Sequence, residues 1–135
     1  MSENRLVLPS LLVLMVLGGC GDLTSSDSIP QPPACAAVVG PGIMIEVFDS
    51  ETGEHASCGA RALLEDGDFL EEIENAAGEN CFDTTILMGA FGRIGTYDIT
   101  VSKAGYRDWI RTDVEVTSGV CGVLPTRLQA HMEKQ

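Results

Sequence analysis

The sequence predicts an all-β domain, an antiparallel β-sandwich, behind an export signal. Three observations carry this. Apolar and polar residues alternate with a period of two in several short runs; in Thr96 to Ser102, Tyr97, Ile99 and Val101 share one face. Turn residues separate the runs, and no alternation of strands with helical patterns interrupts them. The chain has 135 residues, 44% hydrophobic and 21% charged, which suits one folded domain rather than a disordered chain.

The first element is an address. A short n-region, Met1 to Arg5, precedes an apolar stretch, Leu6 to Leu17, broken only by Pro9 and Ser10. As a helix this stretch spans about 18 Å, too short for the ~30 Å hydrocarbon core, so it reads as a signal-peptide h-region. Leu17-Gly18-Gly19-Cys20 then resembles the lipobox of bacterial lipoproteins: an aliphatic residue, two small residues and the Cys that is lipidated. The resemblance implies that residues 1–19 are cleaved and that Cys20 becomes the mature N-terminus, carrying palmitate-type acyl chains. Two or more chains anchor a protein stably where one does so only marginally. Residues 20–34 form the lipidated Cys and a flexible linker, rich in Ser, Asp and Pro, with a reach of roughly 40 Å. Gly21 rather than Asp after the Cys leans to the outer membrane over the inner.

The folded part, residues 35–135, reads as strands. Ile43 to Phe48 places Ile43, Ile45 and Val47 on one face and ends at Asp49-Ser50-Glu51-Thr52-Gly53, where Gly53 supplies a positive φ. Gly59 to Leu64 follows. Asp68 to Ile73 alternates as a strand, although Leu70, Ile73, Ala76 and Ala77 also sit at loosely helical spacing. Thr85 to Phe91, Thr96 to Ser102 and Ile110 to Thr117 come next. In the last of these, period two puts Ile110, Thr112, Val114 and Val116 on the dry face. Val123 to Met132 closes the set, with Pro125 demoting its start to an edge or bulge.

Four segments carry a further resemblance: Ile45-Glu46-Val47-Phe48-Asp49-Ser50-Glu51-Thr52-Gly53, Gly59-Ala60, Gly95-Thr96-Tyr97-Asp98-Ile99-Thr100-Val101 and Ala104-Gly105-Tyr106. In this order they are similar to the carboxypeptidase regulatory-like domain. That family implies a seven-stranded, Greek-key, transthyretin (prealbumin)-like sandwich over roughly Gly42 to Met132. In such a sandwich Tyr97 buries its ring and Tyr106 caps one end.

With Cys20 lipidated, Cys35, Cys58, Cys81 and Cys121 remain, an even number that implies two disulfides in an exported domain. In transthyretin-like sandwiches the first and last strands lie side by side and parallel. Of the three pairings available, the resemblance therefore implies Cys35–Cys121 and Cys58–Cys81.

Chemistry-bearing residues are few. His55-x-x-Cys58 has half the spacing of a zinc site but no second pair, so neither metal nor cofactor is expected. His55 and His131 are the two histidines, outside any nucleophile motif, and no catalytic residue is assigned. Glu65, Asp66, Asp68, Glu71, Glu72, Glu74, Glu79 and Asp83 read as a solvated acidic face rather than a calcium loop. Trp109 falls on the polar side of its strand by parity. It is either tucked onto the sandwich end or, flanked by Arg107 and Arg111, exposed as a contact for an envelope protein or glycan.

Lys and Arg number 8 against 20 Asp and Glu, a net charge of −12, which leaves no basic patch of the size nucleic acid needs. The expected protein is a membrane-anchored, non-enzymatic envelope lipoprotein presenting a small binding or structural module. The alternative is an accessory, hydrolase-related subunit working with an envelope enzyme.

Overall fold

The computed structural model describes Ala34, Cys35 and residues 38–135. The expected signal peptide, Cys20 and all of the expected linker but Ala34 lie outside the described residues, which contain no helix. The strands are β1 (Ile43–Asp49), β2 (Arg61–Asp66), β3 (Phe69–Glu74), β4 (Leu87–Gly89), β5 (Gly95–Ser102), β6 (Trp109–Val116), β7 (Ser118–Gly119), β8 (Gly122–Val123) and β9 (Thr126–Met132).

They form a three-stranded sheet in the order β4-β1-β9, a four-stranded sheet in the order β3-β2-β5-β6, and the small β7-β8 hairpin. All pairs are antiparallel except β1 with β9, which run parallel from Ile43 opposite Thr126 to Asp49 opposite Met132. Alternation decides which face is dry. Ile43, Ile45 and Val47 of β1, with Leu87, Ala130 and Met132, meet Ala62, Leu64, Tyr97, Ile99, Val101, Val114 and Val116 in one core. Two sheets burying facing sides in this way are compatible with a β-sandwich.

Turn chemistry sets the strand limits. The strand expected from Gly59 starts at Arg61, because Gly59 (φ 78°) serves a turn. Phe69 to Glu74 is a strand and not a helix; it pairs with β2 across a two-residue turn whose first residue is Gly67 (φ 58°), where a type II′ hairpin takes glycine. The Thr85 to Phe91 run keeps only three residues as β4. Pro125, which has no N–H to donate, separates β8 from β9.

One expectation fails in β6. Ile110 and Thr112 are exposed, not on the dry face. Between Tyr97 opposite Val114 and Ile99 opposite Arg111, the single Asp98 of β5 faces both Thr112 and Asp113. This bulge puts Asp113 at φ 56°, with its N–H donating to Asp98 Oδ1 at 3.1 Å. One extra residue inverts the parity of everything before it. Trp109 thereby turns inward and packs, half-buried, against the core.

Two disulfides brace the ends. Cys35–Cys121 (Cα–Cα 5.1 Å) fastens the chain ahead of β1 to the tip of the β7-β8 hairpin. Cys58–Cys81 (Cα–Cα 5.8 Å) fastens the turn before β2 to the loop before β4, at the opposite end. The end where β1 begins, holding the first bridge, is called the proximal end below.

Candidate functional site

β9 is one edge of the three-stranded sheet and β6 one edge of the four-stranded sheet. Two residues apart, Arg111 and Trp109 share one side of β6, the side that the bulge at Asp113 reverses, and the Arg111 guanidinium sits 5.3 Å from the centre of the Trp109 ring. On β9, strand alternation turns Arg127, Gln129 and His131 away from the core while Ala130 and Met132 point in. A shallow hollow of about 240 Å³ is lined by Arg107, Asp108, Trp109, Ile110, His131 and Glu133. A second, of about 570 Å³, is lined by Glu46, Arg111, Arg127, Leu128, Gln129 and His131. His131 belongs to both. The three residues picked from sequence as a partner contact, Arg107, Trp109 and Arg111, thus lie along one strip, joined there by Arg127 and His131.

Two charges on this strip, Arg111 and Arg127, differ from those elsewhere. Arg61 bridges Glu72 and Glu74, Arg93 meets Asp66 at 2.6 Å, and Lys134 meets Asp49 at 3.0 Å. Lys103 donates to the Ala56 carbonyl at 2.7 Å, and Arg107 lies 3.9 Å from Glu133. Among the described residues, Arg111 and Arg127 have no carboxylate within ion-pair distance. A chain with a net charge of −12 therefore leaves two guanidiniums unpaired along one hollow, one of them, Arg111, against an indole. Planar guanidinium forks match carboxylate and phosphate oxygens, and an indole offers a flat apolar wall.

No family model matches the chain. A search of curated proteins likewise finds no match.

The remaining sequence candidates are placed differently. His55 and His131 flank Phe48, their ring centroids 4.6 Å and 5.1 Å from that of the phenylalanine. Nothing in the local sequence around either histidine brings the two together. The link is the parallel register of β9, which puts His131 opposite Phe48, and the bridge from Phe48 to His55. Cys58 of His55-x-x-Cys58 is bonded to Cys81 and has no thiolate to offer a metal. The acidic run is divided among separate partners. Asp66 takes Arg93, Glu71 accepts from the Ala90 N–H at 2.7 Å, Glu72 and Glu74 hold Arg61, and Asp83 accepts from the Cys58 N–H at 2.9 Å.

Two polar clusters were not singled out from sequence. Asp49, nearly buried, accepts from the Glu51 and Thr52 N–H groups, from the Tyr106 hydroxyl at 2.8 Å and from Lys134. The hydrogen bond from Tyr106, then that from Lys134, holds the Asp49 carboxyl far below the usual carboxylate range. The same contact raises both Tyr106 and Lys134. In the second cluster Arg93 bonds Asp66 and the Tyr97 hydroxyl and lies over the Phe69 ring at 4.1 Å. Its hydrogen bond to Asp66 raises its pKa. Both clusters serve the fold. They clamp opposite ends of the core.

Proposed function

We propose that this chain is a lipid-anchored, non-enzymatic lipoprotein of the bacterial envelope whose domain binds an acidic glycan along the β6–β9 strip. The fold under this reading is a transthyretin-like Greek-key sandwich of the carboxypeptidase regulatory-like kind. Supporting it are the order β4-β1-β9 over β3-β2-β5-β6 and the parallel first and last long strands. The motif residues also have structural work consistent with it: Asp49 closes the D-x-x-T-G turn and receives Tyr106 of the Gly105-Tyr106 corner.

The observation that carries the binding assignment is the pair of unpaired guanidiniums, Arg111 and Arg127, lining one hollow, with Trp109 against Arg111. A saccharide ring lies against an indole, while its carboxylates or phosphates take the two guanidiniums. Gln129 and His131 supply hydrogen-bonding groups between them. An open strip suits an extended chain better than a small enclosed molecule. The test is titration of the full chain with uronic-acid-bearing and neutral oligosaccharides. Only the acidic ones should bind, and Arg111→Ala or Arg127→Ala should weaken binding about tenfold, the loss of one charge-assisted contact. Equal binding of neutral sugars, or no dependence on either arginine, overturns the assignment.

A further inference from the structure

We infer that the proximal end of the domain rests on the lipid bilayer, with Phe91, Ile94, Val120 and Leu124 set into its surface. The inference rests on the reading of Cys20 as the lipid anchor. Exposed apolar side chains concentrate at this end. Val38, Val39, Phe91, Ile94, Val120 and Leu124 are each between 51% and 81% exposed. They come from three neighbouring segments: the approach to β1, the β4–β5 loop and the β7-β8 hairpin. The segments are tied together. The Gly92 N–H donates to the Gly40 carbonyl at 3.0 Å, Leu124 donates to Thr117 at 2.8 Å, and Cys35–Cys121 locks the hairpin tip to the incoming chain. Thr126 donates to the Gly42 carbonyl at 2.8 Å, closing the ring of contacts around the start of β1.

What covers this surface is argued from connectivity and charge. The chain arriving at Cys35 comes from Cys20, and the disulfide fixes its entry at this end rather than the other. With Cys20 as the anchor, the 14 residues between it and Cys35 hold the domain at high effective concentration near the surface, so weak apolar contacts suffice to dock it. In a chain with 20 Asp and Glu, the segments 38–43, 90–95 and 117–125 contain none. The acidic turn at this end, Asp66-Gly67-Asp68, has Asp66 neutralised by Arg93. The opposite end stays acidic: Glu51 and Glu133 lie near Lys134 and Arg107, but Glu54, Glu79 and Asp83 around its turns have no cation within ion-pair distance among the described residues. A zwitterionic bilayer surface accepts the first end and gains nothing from the second. Docked in this way, the β6–β9 strip stands on the flank of the domain, open to a glycan.

The experiment uses the full lipidated chain in phosphatidylcholine vesicles containing acyl-brominated lipid, which quenches nearby indoles. Native Trp109, at the far end of β6, is the reference, and a Phe91→Trp, Trp109→Phe variant reports the proximal end. The variant should be quenched roughly threefold more than the native protein, since interfacial side chains reach about 5–10 Å into the headgroup boundary. A chain that floats with the vesicles but shows no extra quenching at position 91 overturns docking while leaving the anchor intact. The same conclusion follows if position 91 is shielded from quencher in concentration-dependent dimers, because a second copy then covers the surface. A chain that does not float overturns the anchor, and docking with it. Replacing Phe91, Ile94 and Val120 by Ser should leave flotation unchanged and, by quenching of a reporter indole at Leu124 (Leu124→Trp, Trp109→Phe), lift this end from the membrane.

Discussion

Asp49 shows how a short turn signal hides a long-range contact. The sequence marks it as the start of a turn, and its bonds to the Glu51 and Thr52 N–H groups are of that local kind. Tyr106 and Lys134, which complete its shell, lie far along the chain and only the parallel β1–β9 register and the Tyr106 corner bring them in. Because the folded carboxyl sits far below its ordinary range, the stabilisation is fully present above that range and is lost progressively as pH falls from it down through the lowered folded value. Tyr106 and Lys134 are raised, so their share persists below their ordinary values and fades as pH rises through the raised ones. Tyr106→Phe should lower the Tm clearly at neutral pH, with the gap to the native protein closing in strong acid. Asp49→Asn should flatten the acid limb of the Tm–pH curve. Thermal melts across pH check both, and an unaltered acid limb in Asp49→Asn would show that the cluster contributes nothing.

Strands that keep strict alternation were legible in the sequence; β6 was not. In β1 and β5 the hydrophobic period and the dry face coincide throughout, so Ile43, Ile45, Val47, Tyr97, Ile99 and Val101 are all buried as the pattern requires. In β6 one inserted residue reverses the faces. Nothing in Ile110 to Val116 signals it beyond an Asp at the position that must tolerate a left-handed backbone. Asp113→Val should therefore cost about 1–2 kcal/mol, the strain of a β-branched residue at positive φ, whereas Asp113→Gly should be nearly neutral. Urea unfolding measures it, and equal midpoints for Val and Gly would contradict the bulge. The same parity reversal is why Trp109 reads as outward in sequence and packs inward. The strip with Arg111 and Arg127 was half legible for a related reason: Arg127 lies on β9, and no local pattern announces which strand edges will meet. Among the other elements, the disulfides give the clearest stability prediction. Loop-closure entropy assigns about 3 kcal/mol to Cys58–Cys81 and about 4.5 kcal/mol to Cys35–Cys121. Serine pairs at each bridge should lower the urea midpoint in that order, and the opposite order would contradict an entropic origin.

At the scale of the whole molecule, a net charge of −12, few cations and two bridges describe a disulfide-braced domain with one modest cationic strip. Exposed carboxylates are dispersed among different partners rather than converging, so EDTA should leave the melting temperature unchanged. Reductant should lower it markedly. A large shift with EDTA would show that the acidic residues hold a cation after all. The anchor is the claim on which the rest of the account depends, since it gives the domain its place in the envelope and its proximal end a bilayer to rest on. Its signal lies in the apolar stretch Leu6 to Leu17 and in Leu17-Gly18-Gly19-Cys20, outside the described residues. The most direct test is the intact mass and N-terminal peptide of the protein extracted from membranes. The account predicts a chain that begins at Cys20, with acyl chains on that residue and no alkylatable thiol among the other four cysteines. A chain that retains residues 1–19, or begins at an unmodified Cys20, would contradict it.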